Sequence, residues 1–435
     1  MSKIAAVRGM NDLLPAAATL WETLEARALD VVRAYGYQQM RAPVIEHTQL
    51  FVHGIGAVTD VVEREMFSFE DRADKDGKRD HLTLRPEFTA GLVRATIEHN
   101  LLYDAPRRVW CMGPVFRHER PQRGRFRQFH QIDVEALCFA GPDLDAEHVL
   151  ICRRLWDALG IGPVRLEINS LGQPDERARH RADLIAYLLQ HEAALDADAK
   201  RRLHSNPLRI FDSKNPALQP IIAAAPTLLS YLGSQSLAHF ERFQQFLRAA
   251  GVEFAINPRL VRGLDYYNLT VYEWITDRLG TQGTICGGGR YDPLIERLGG
   301  QPAPACGFAI GVERVVDLMR DMAVPLSAAG CDAYVLHQGG DTQLTALLAA
   351  EQLRDAGLEV LVHGGEASLK SQMKRADASA AEFAVIIGAD EAVAQVAAVK
   401  GLRDRGVAAP FAQQRVVPLA QLGEVLADAL EQISE

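Results

Sequence analysis

The sequence predicts an α+β protein: a largely antiparallel sheet flanked by helices, interrupted by a helical insertion and followed by a small α/β domain. Three observations predict it. Short strand-like runs, divided by turns and single helices, occupy the chain up to about residue 170 and return after about residue 254. Between them, from about 174 to 254, the chain has helical spacing and is rich in Ala, Leu, Arg and Gln. Beyond Pro325–Gly330, strand and helix alternate as βαβαβ. The expected organisation is one domain over 1–325, carrying the insertion, and a second over 331–435.

Taken in order, Leu20, Leu24, Ala28, Val31 and Val32 fall on one face of a helix ending near Tyr35, and Gly36 follows where a helix C-terminus favours glycine. Tyr37–Ile45 is extended in character. Its Pro43 cannot donate to a ladder, which suits an exposed or interfacial edge. Strands are expected at Leu82–Leu84, Arg108–Met112, Gln131–Leu137, Val164–Ile168, Leu269–Trp274 and Gly307–Ile310, with a helix at Ala146–Leu159. The insertion is broken at Pro207, Pro216, Pro220 and Pro226. The last domain reads as strands Ala333–Leu336, Glu359–Val362 and Phe383–Ile387, with helices Thr342–Ala356 and Ser368–Ala376 between them. Neither G-x-G-x-x-G nor G-x-x-x-x-G-K-[ST] occurs, which disfavours a Rossmann or P-loop fold.

Hydrophobic residues at 48% and charged residues at 24% are ordinary for a soluble protein. No run reaches the roughly 18 apolar residues of a membrane helix, and the opening residues lack a secretory h-region. Six scattered cysteines form no C-x-x-C pair, which fits reduced thiols in a cytoplasmic protein. That spacing argues against a disulfide framework and a structural zinc site, and no metal held by protein side chains is expected. A net charge of −9 argues against non-specific coating of nucleic acid. Yet between Arg107 and Arg127 seven arginines face one acid, Glu119, an excess of +6. Such a run is commonly a solvated loop. Here Phe116, Phe126 and Phe129 interleave with it, and aromatics beside guanidinium groups suit stacking on a base while gripping phosphates.

Phe116-Arg117-His118-Glu119-Arg120, a basic loop and then Phe129-His130-Gln131-Ile132-Asp133 resemble motif 2 of the class II aminoacyl-tRNA synthetases. Gly307-Phe308-Ala309-Ile310-Gly311-Val312-Glu313-Arg314 resembles motif 3, and the helix and strand around Pro43 resemble motif 1. Leu260-Val261-Arg262-Gly263-Leu264-Asp265-Tyr266-Tyr267 and Cys286-Gly287-Gly288-Gly289-Arg290-Tyr291-Asp292 are similar to the signature peptides of histidyl-tRNA synthetases. Arg8–Asp12, Leu84–Glu87 with Thr89–Gly91, and Lys214-Asn215-Pro216 resemble the same family, so the resemblance spans essentially the whole chain. It departs at Phe88, where a small residue such as glycine is expected.

The resemblance implies a class II catalytic domain and an anticodon-binding domain, with ATP as substrate accompanied by Mg2+. It implies that histidine is activated to its adenylate and passed to tRNA(His). Arg117, Arg262 and Arg314 would be catalytic: Arg117 on the α-phosphate and carboxylate, Arg262 on the α-phosphate from the opposite side, and Arg314 on the γ-phosphate and adenine. Phe129 would stack on adenine, Glu119 accept from its amino group, and Arg125 join the ATP site. Glu87, Thr89 and Gln131 would hold the histidine ammonium, Glu135 and Tyr267 its ring, with Tyr266, Arg117 and Arg262 completing the pocket. On a strand Gln131, Asp133 and Glu135 share a face, so one wall can present all three. A neutral imidazole offers one donor and one acceptor, and a buried carboxylate without a partner is costly, which favours a polar ligand there. Gly287–Gly289, by itself a tight turn, reads beside Arg262 as a pocket floor.

Arg120, Arg123, Arg125 and Arg127 would meet the tRNA acceptor end. Lys370, Lys374 and Arg375 share a predicted helix and are the anticodon-domain candidates, although residues 331–435 carry eight basic against fifteen acidic side chains. Motif 1 implies a homodimer. The rival reading is a histidine-sensing regulatory subunit of ATP phosphoribosyltransferase, similar in its core but typically lacking the anticodon domain and much of the arginine set.

Overall fold

Pro15 opens the first helix, Pro15–Ala34, at the position where a missing N–H costs nothing. That helix buries Trp21, Leu24, Ala28, Val31 and Val32, and Gly36 turns the chain away at φ +78°. The computed structural model describes residues 4–213, 215–324, 330–339, 342–403, 411 and 413–434. Lys214 and residues 325–329 of the expected domain boundary lie outside them. The chain divides into two compact units, 1–325 and 326–435.

The first unit is built on an eight-stranded sheet. Its strands run in the order Gln38–Gln39, Arg107–Phe116, Gln128–Leu137, Ala305–Gly311, Thr284–Arg290, Asn268–Ile275, Arg165–Ser170 and Ala255–Ile256. All neighbours are antiparallel except the two outermost pairs, which are parallel. Side chains alternate across the sheet. On Gln128–Leu137, Ile132 and Val134 enter the main core beneath helices Pro15–Ala34, Pro142–Leu159, Ser234–Ala249 and Val312–Asp321. Gln131, Asp133 and Glu135 therefore project from the opposite face. A small antiparallel sheet of Ile45–His47, His81–Leu84 and Phe67–Glu70 stands apart from the large one.

The insertion folds around its own cluster, which includes Leu184, Leu188, Leu203, Ile210, Leu218 and Ile222. Its first helix, Pro174–Gln190, starts with a capping box between Gln173 and Glu176. The helical segment expected to extend to about 254 is divided in its packing. Helix Ser234–Ala249 puts Phe240, Phe243 and Leu247 into the main core, because its apolar face meets Pro142–Leu159. The second unit is a five-stranded sheet in the order Val360–Val362, Ala333–His337, Phe383–Ile387, Val396–Gly401 and Arg415–Pro418. The first three strands are parallel and the last two antiparallel, and helices Thr342–Asp355 and Leu422–Ser434 pack together over it.

Thr284–Arg290 was not expected as a strand, because three consecutive glycines carry no strand propensity. It is a central strand, paired on both sides. The glycines are there for closeness. A Cβ on Gly288 would lie 2.5 Å from the Gly307 carbonyl oxygen and 2.7 Å from the Tyr272 hydroxyl. At its end Arg290 is fully buried and saturated, bonded to Asp145, to the carbonyls of Phe139 and Gly141, and to Asp292. Gly288→Ala is predicted to destabilise the first unit by about 1–3 kcal/mol, since backbone must move to admit the methyl group. Urea unfolding followed by tryptophan fluorescence checks this, and an unchanged midpoint would contradict the packing described.

Candidate active site

The open face of the sheet carries a cavity of about 590 Å³, lined from strands, from the 260–267 loop, from motif 3 and from the insertion. One end is acidic. Gln131 and Asp133 reach it from strand Gln128–Leu137, and Glu87 reaches it from the start of helix Thr89–Glu98. The Glu87 carboxylate accepts the N–H groups of Thr89 (2.8 Å) and Ala90 (2.9 Å), so it also caps that helix. Burial pushes the pKa of Glu87 up, with those two bonds working against the rise. Burial, and then the nearby Glu135 and Glu87, raise Asp133 well above the usual carboxylate range. The Asp133 Oδ1 and Gln131 Oε1 atoms are buried without a hydrogen-bond partner among the described residues.

Glu135 is placed differently from expectation. It lies behind the lining, where Thr89 donates to Oε1 at 2.6 Å and Tyr291 donates to Oε2. Gly307 covers it so closely that a Cβ there would overlap its carboxylate. The sheet alternation gives Glu135 the expected face, but the two donors draw it under the neighbouring strand. Asp133 is the strand carboxylate that lines the space. Burial pushes the pKa of Glu135 up to about 8, against the pull of its two donors. Tyr266 and Tyr267 both line the cavity, their rings 4.7 Å apart, and Tyr266 is 5.5 Å from Tyr291. Burial raises Tyr267 to about 12, with Arg262 acting in the opposite sense.

The lining also carries the motif arginines, each with a partner. Arg117 donates through Nε to the Pro86 carbonyl at 2.9 Å, and its guanidinium carbon lies 5.3 Å from the centre of the Phe129 ring. Arg262 pairs with Glu273 and stands 5.7 Å from the Tyr267 ring centre. Burial opposes its charge, but Glu273 and the two tyrosines outweigh burial and hold the cation firmly charged. Gly287 makes room for it, since a Cβ there would sit 2.4 Å from Arg262 Nη1. That makes Gly287 the floor residue of the glycine run. Arg314 donates to the carbonyls of Thr284 (2.6 Å) and Gly124 (3.1 Å), and burial, then Arg125, lower its pKa. Glu119 and Arg125 pair at 2.9 Å and both line the cavity.

The basic loop splits. Arg120 and Arg123 are exposed and do not line the cavity; Arg123 instead pairs with Asp321 at 2.6 Å. Arg127 is half-buried, and its backbone N–H donates to the Gly9 carbonyl at 2.7 Å, tying the Arg8–Asp12 peptide to the loop. Phe88 turns away into a core with Leu92, Cys111 and Val115. Lys370, Lys374 and Arg375 are exposed along helix Leu369–Ala378 of the second unit. Sequence reasoning missed Asp60, Glu65, Arg202, Arg209, Glu273 and Glu313 in the lining. For Arg202 and Arg209 no signal existed, because each reads as one more arginine in a polar helical stretch. Among the described residues no helix is long and apolar enough to cross a membrane.

The two signature peptides, motif 2 and motif 3 thus converge on one cavity. The histidyl-tRNA synthetase family model matches residues 9–315, and an anticodon-binding domain model matches 313–427. The chain belongs to the histidyl-tRNA synthetases. It is 61% identical over 433 residues to a histidine–tRNA ligase of Cupriavidus taiwanensis, covering 99% of this chain and 94% of the relative. It is 59% identical over 435 residues to that of Ralstonia nicotianae, covering 99% of each. The crystal structure of apo Staphylococcus aureus histidyl-tRNA synthetase superposes with a TM-score of 0.79 at 28% identity, over 98% of this chain and all of that one. The protein is therefore an ATP-dependent enzyme that joins histidine to tRNA, and the rival regulatory-subunit reading has far less support.

The carboxyl cluster predicts a pH dependence. A Glu135 carboxyl that ionises near pH 8 when folded and near 4.5 when unfolded binds more protons in the native state between those values. Stability is then lost as pH rises from about 4.5 to about 8, by at most roughly 1.4 kcal/mol per pH unit from this group. Glu135→Gln should flatten that part of the stability curve of the ligand-free enzyme, measured by urea unfolding at pH 5.5 and 7.5. Equal slopes for variant and parent would contradict the burial argument.

Proposed function

We propose that the acidic end of the cavity receives the histidine ammonium and ring, and that the arginine end receives ATP and carries the charge of adenylate formation. The observation that carries this reading is one cavity lined both by Glu87, Gln131, Asp133 and the Tyr266–Tyr267 pair and by Arg117, Arg262 and Arg314. Activation brings two anions together, the histidine carboxylate and the α-phosphate, and the transition state adds charge to the equatorial oxygens. Arg117 clamps the carboxylate and α-phosphate, and Arg262 faces the α-phosphate from the other side. Arg314 holds the γ-phosphate and covers adenine, with Phe129 on its second face and Glu119 and Arg125 at its edge. An oxygen of the histidine carboxylate bonds to the α-phosphorus, and the bond to the leaving pyrophosphate breaks.

At the acidic end Glu87, Thr89 and Gln131 hold the ammonium group. The ring nitrogens are met by Tyr267 and, through its hydrogen-bonded partners, by Glu135, with Tyr266 beside them. Such a polar pocket rejects an apolar mimic of similar size by roughly 10⁴ or more. Mg2+, which prefers hard oxygen ligands, would accompany ATP and neutralise charge on its phosphates. Among the described residues no group of three His, Cys, Asp or Glu gathers for an ion. Arg120, Arg123, Arg125 and Arg127 meet the acceptor end of tRNA(His), and Lys370, Lys374 and Arg375 meet its anticodon region. The enzyme works in the cytoplasm as a homodimer joined through the first helix and the strand after Pro43, where Val44 and Ile45 are 38% and 45% exposed.

Arg262→Ala tests the assignment. Adenylate formation in a single turnover should fall by on the order of 10²–10³, while histidine affinity measured by calorimetry changes only a few-fold. Unaltered turnover would overturn the role.

A further inference from the structure

Two cations of the helical insertion enter the catalytic cavity without a place in histidine activation. Arg202 lies on helix Ala197–Ser205 and Arg209 on the short helix Pro207–Asp212, and both line the cavity. Their side chains are 22% and 16% exposed. They share one carboxylate, Asp60, at 3.2 Å and 3.5 Å. Asp60 belongs to the wall that continues through Val61 to Glu65, where the Glu65 carbonyl accepts the His118 N–H of motif 2 at 2.6 Å. Arg209 also donates to the Gly263 carbonyl at 3.4 Å, one residue after Arg262. The insertion thus delivers its charge beside the Arg262–Tyr267 loop. The adenine side, by contrast, is marked by Phe129, Arg125 and the Arg314 bonds to Gly124 and Thr284.

We propose that Arg202 and Arg209 bind the phosphodiester backbone of the unpaired 3′ end of the tRNA as it enters the cavity, taking up phosphate in exchange for Asp60. The proposal rests on the reading that this cavity charges tRNA. The acceptor hydroxyl must reach the activated carboxyl carbon, which lies between the carboxyl end and Arg262. A strand arriving there passes the wall that Asp60, Arg202 and Arg209 form. Asp60 is shared by both guanidinium groups, and the second partner of Arg202, Asp198 at 3.2 Å, is 52% exposed, so an entering phosphodiester meets two forked cations whose carboxylate partners it can replace. Partial burial strengthens the contact relative to an exposed lysine. In the absence of RNA, Asp60 keeps the pair ordered and screens it from non-specific anions.

The test uses the full-length enzyme, a tRNA(His) transcript, and the same transcript lacking its last three nucleotides. Arg202→Gln and Arg209→Gln should each raise the KM for tRNA about 10-fold, and Arg202→Lys should recover most of that loss. The slope of log KM against log salt should fall by about 0.7 for each phosphate contact removed. ATP–pyrophosphate exchange should keep its KM for ATP within about twofold, and Asp60→Asn should act in the opposite direction, lowering the KM for tRNA. Inhibition by the truncated transcript should be the same for parent and variants. If exchange falls as far as charging does, the arginines serve ATP and the proposal is overturned. It is equally overturned if the truncated transcript loses as much affinity as the intact one. A parent enzyme that exchanges with histidine but charges no tRNA would sink the underlying reading instead.

Discussion

Everything in the catalytic unit depends on burying charges of both signs in one cavity without letting them cancel. Glu87, Asp133 and Glu135 are all buried, the last two on strand Gln128–Leu137 and Glu87 at the start of helix Thr89–Glu98, with Thr89 bonded to both Glu87 and Glu135. Burial pushes all three pKa values up, and for Asp133 and Glu135 the neighbouring carboxyl groups add to the rise. A cationic amino group entering beside them reverses that pressure. On the proposed reading, an ammonium ion supplies the partners that Asp133 Oδ1 and Gln131 Oε1 lack among the described residues. The hydrogen bonds from Thr89, Ala90 and Tyr291 keep the carboxyl groups in place meanwhile.

The arginines face the same constraint with the opposite sign. None stands bare in the ligand-free enzyme. Arg262 rests on Glu273, Arg125 on Glu119, and Arg117 and Arg314 on backbone carbonyls. Each is held in position by such a partner, so on the proposed reading ATP would exchange partners rather than order loose side chains. That arrangement lowers the reorganisation required when charge develops on the α-phosphate. The glycines of Thr284–Arg290 and Gly307 are the packing counterpart, because the charged groups and crossing strands occupy the volumes that side chains would need.

Much of this was legible in the sequence. The first helix shows its apolar stripe, and the period-two alternation of Gln131, Asp133 and Glu135 gives the wall of the pocket. The motif arginines announce themselves by clustering with aromatics in an acidic chain. What stayed hidden has physical reasons. A glycine strand has no propensity signal, since its place is decided by neighbours such as Phe308 and Tyr272. Glu135 shares the right face, yet its retreat behind Gly307 is set by Tyr291, distant in sequence and close only after folding. Arg202 and Arg209 look like solvated helix charges until the insertion brings them to Asp60. Helix Ser234–Ala249 was assigned to the insertion by continuity of pattern, which cannot tell which core an apolar face will meet.

The central claim is that one cavity joins a carboxyl end selective for histidine to an arginine end that activates it. ATP–pyrophosphate exchange with each of the twenty amino acids, without tRNA, tests it most directly. The account predicts exchange with histidine alone. Exchange with several amino acids, or with none in protein that still binds histidine, would contradict it.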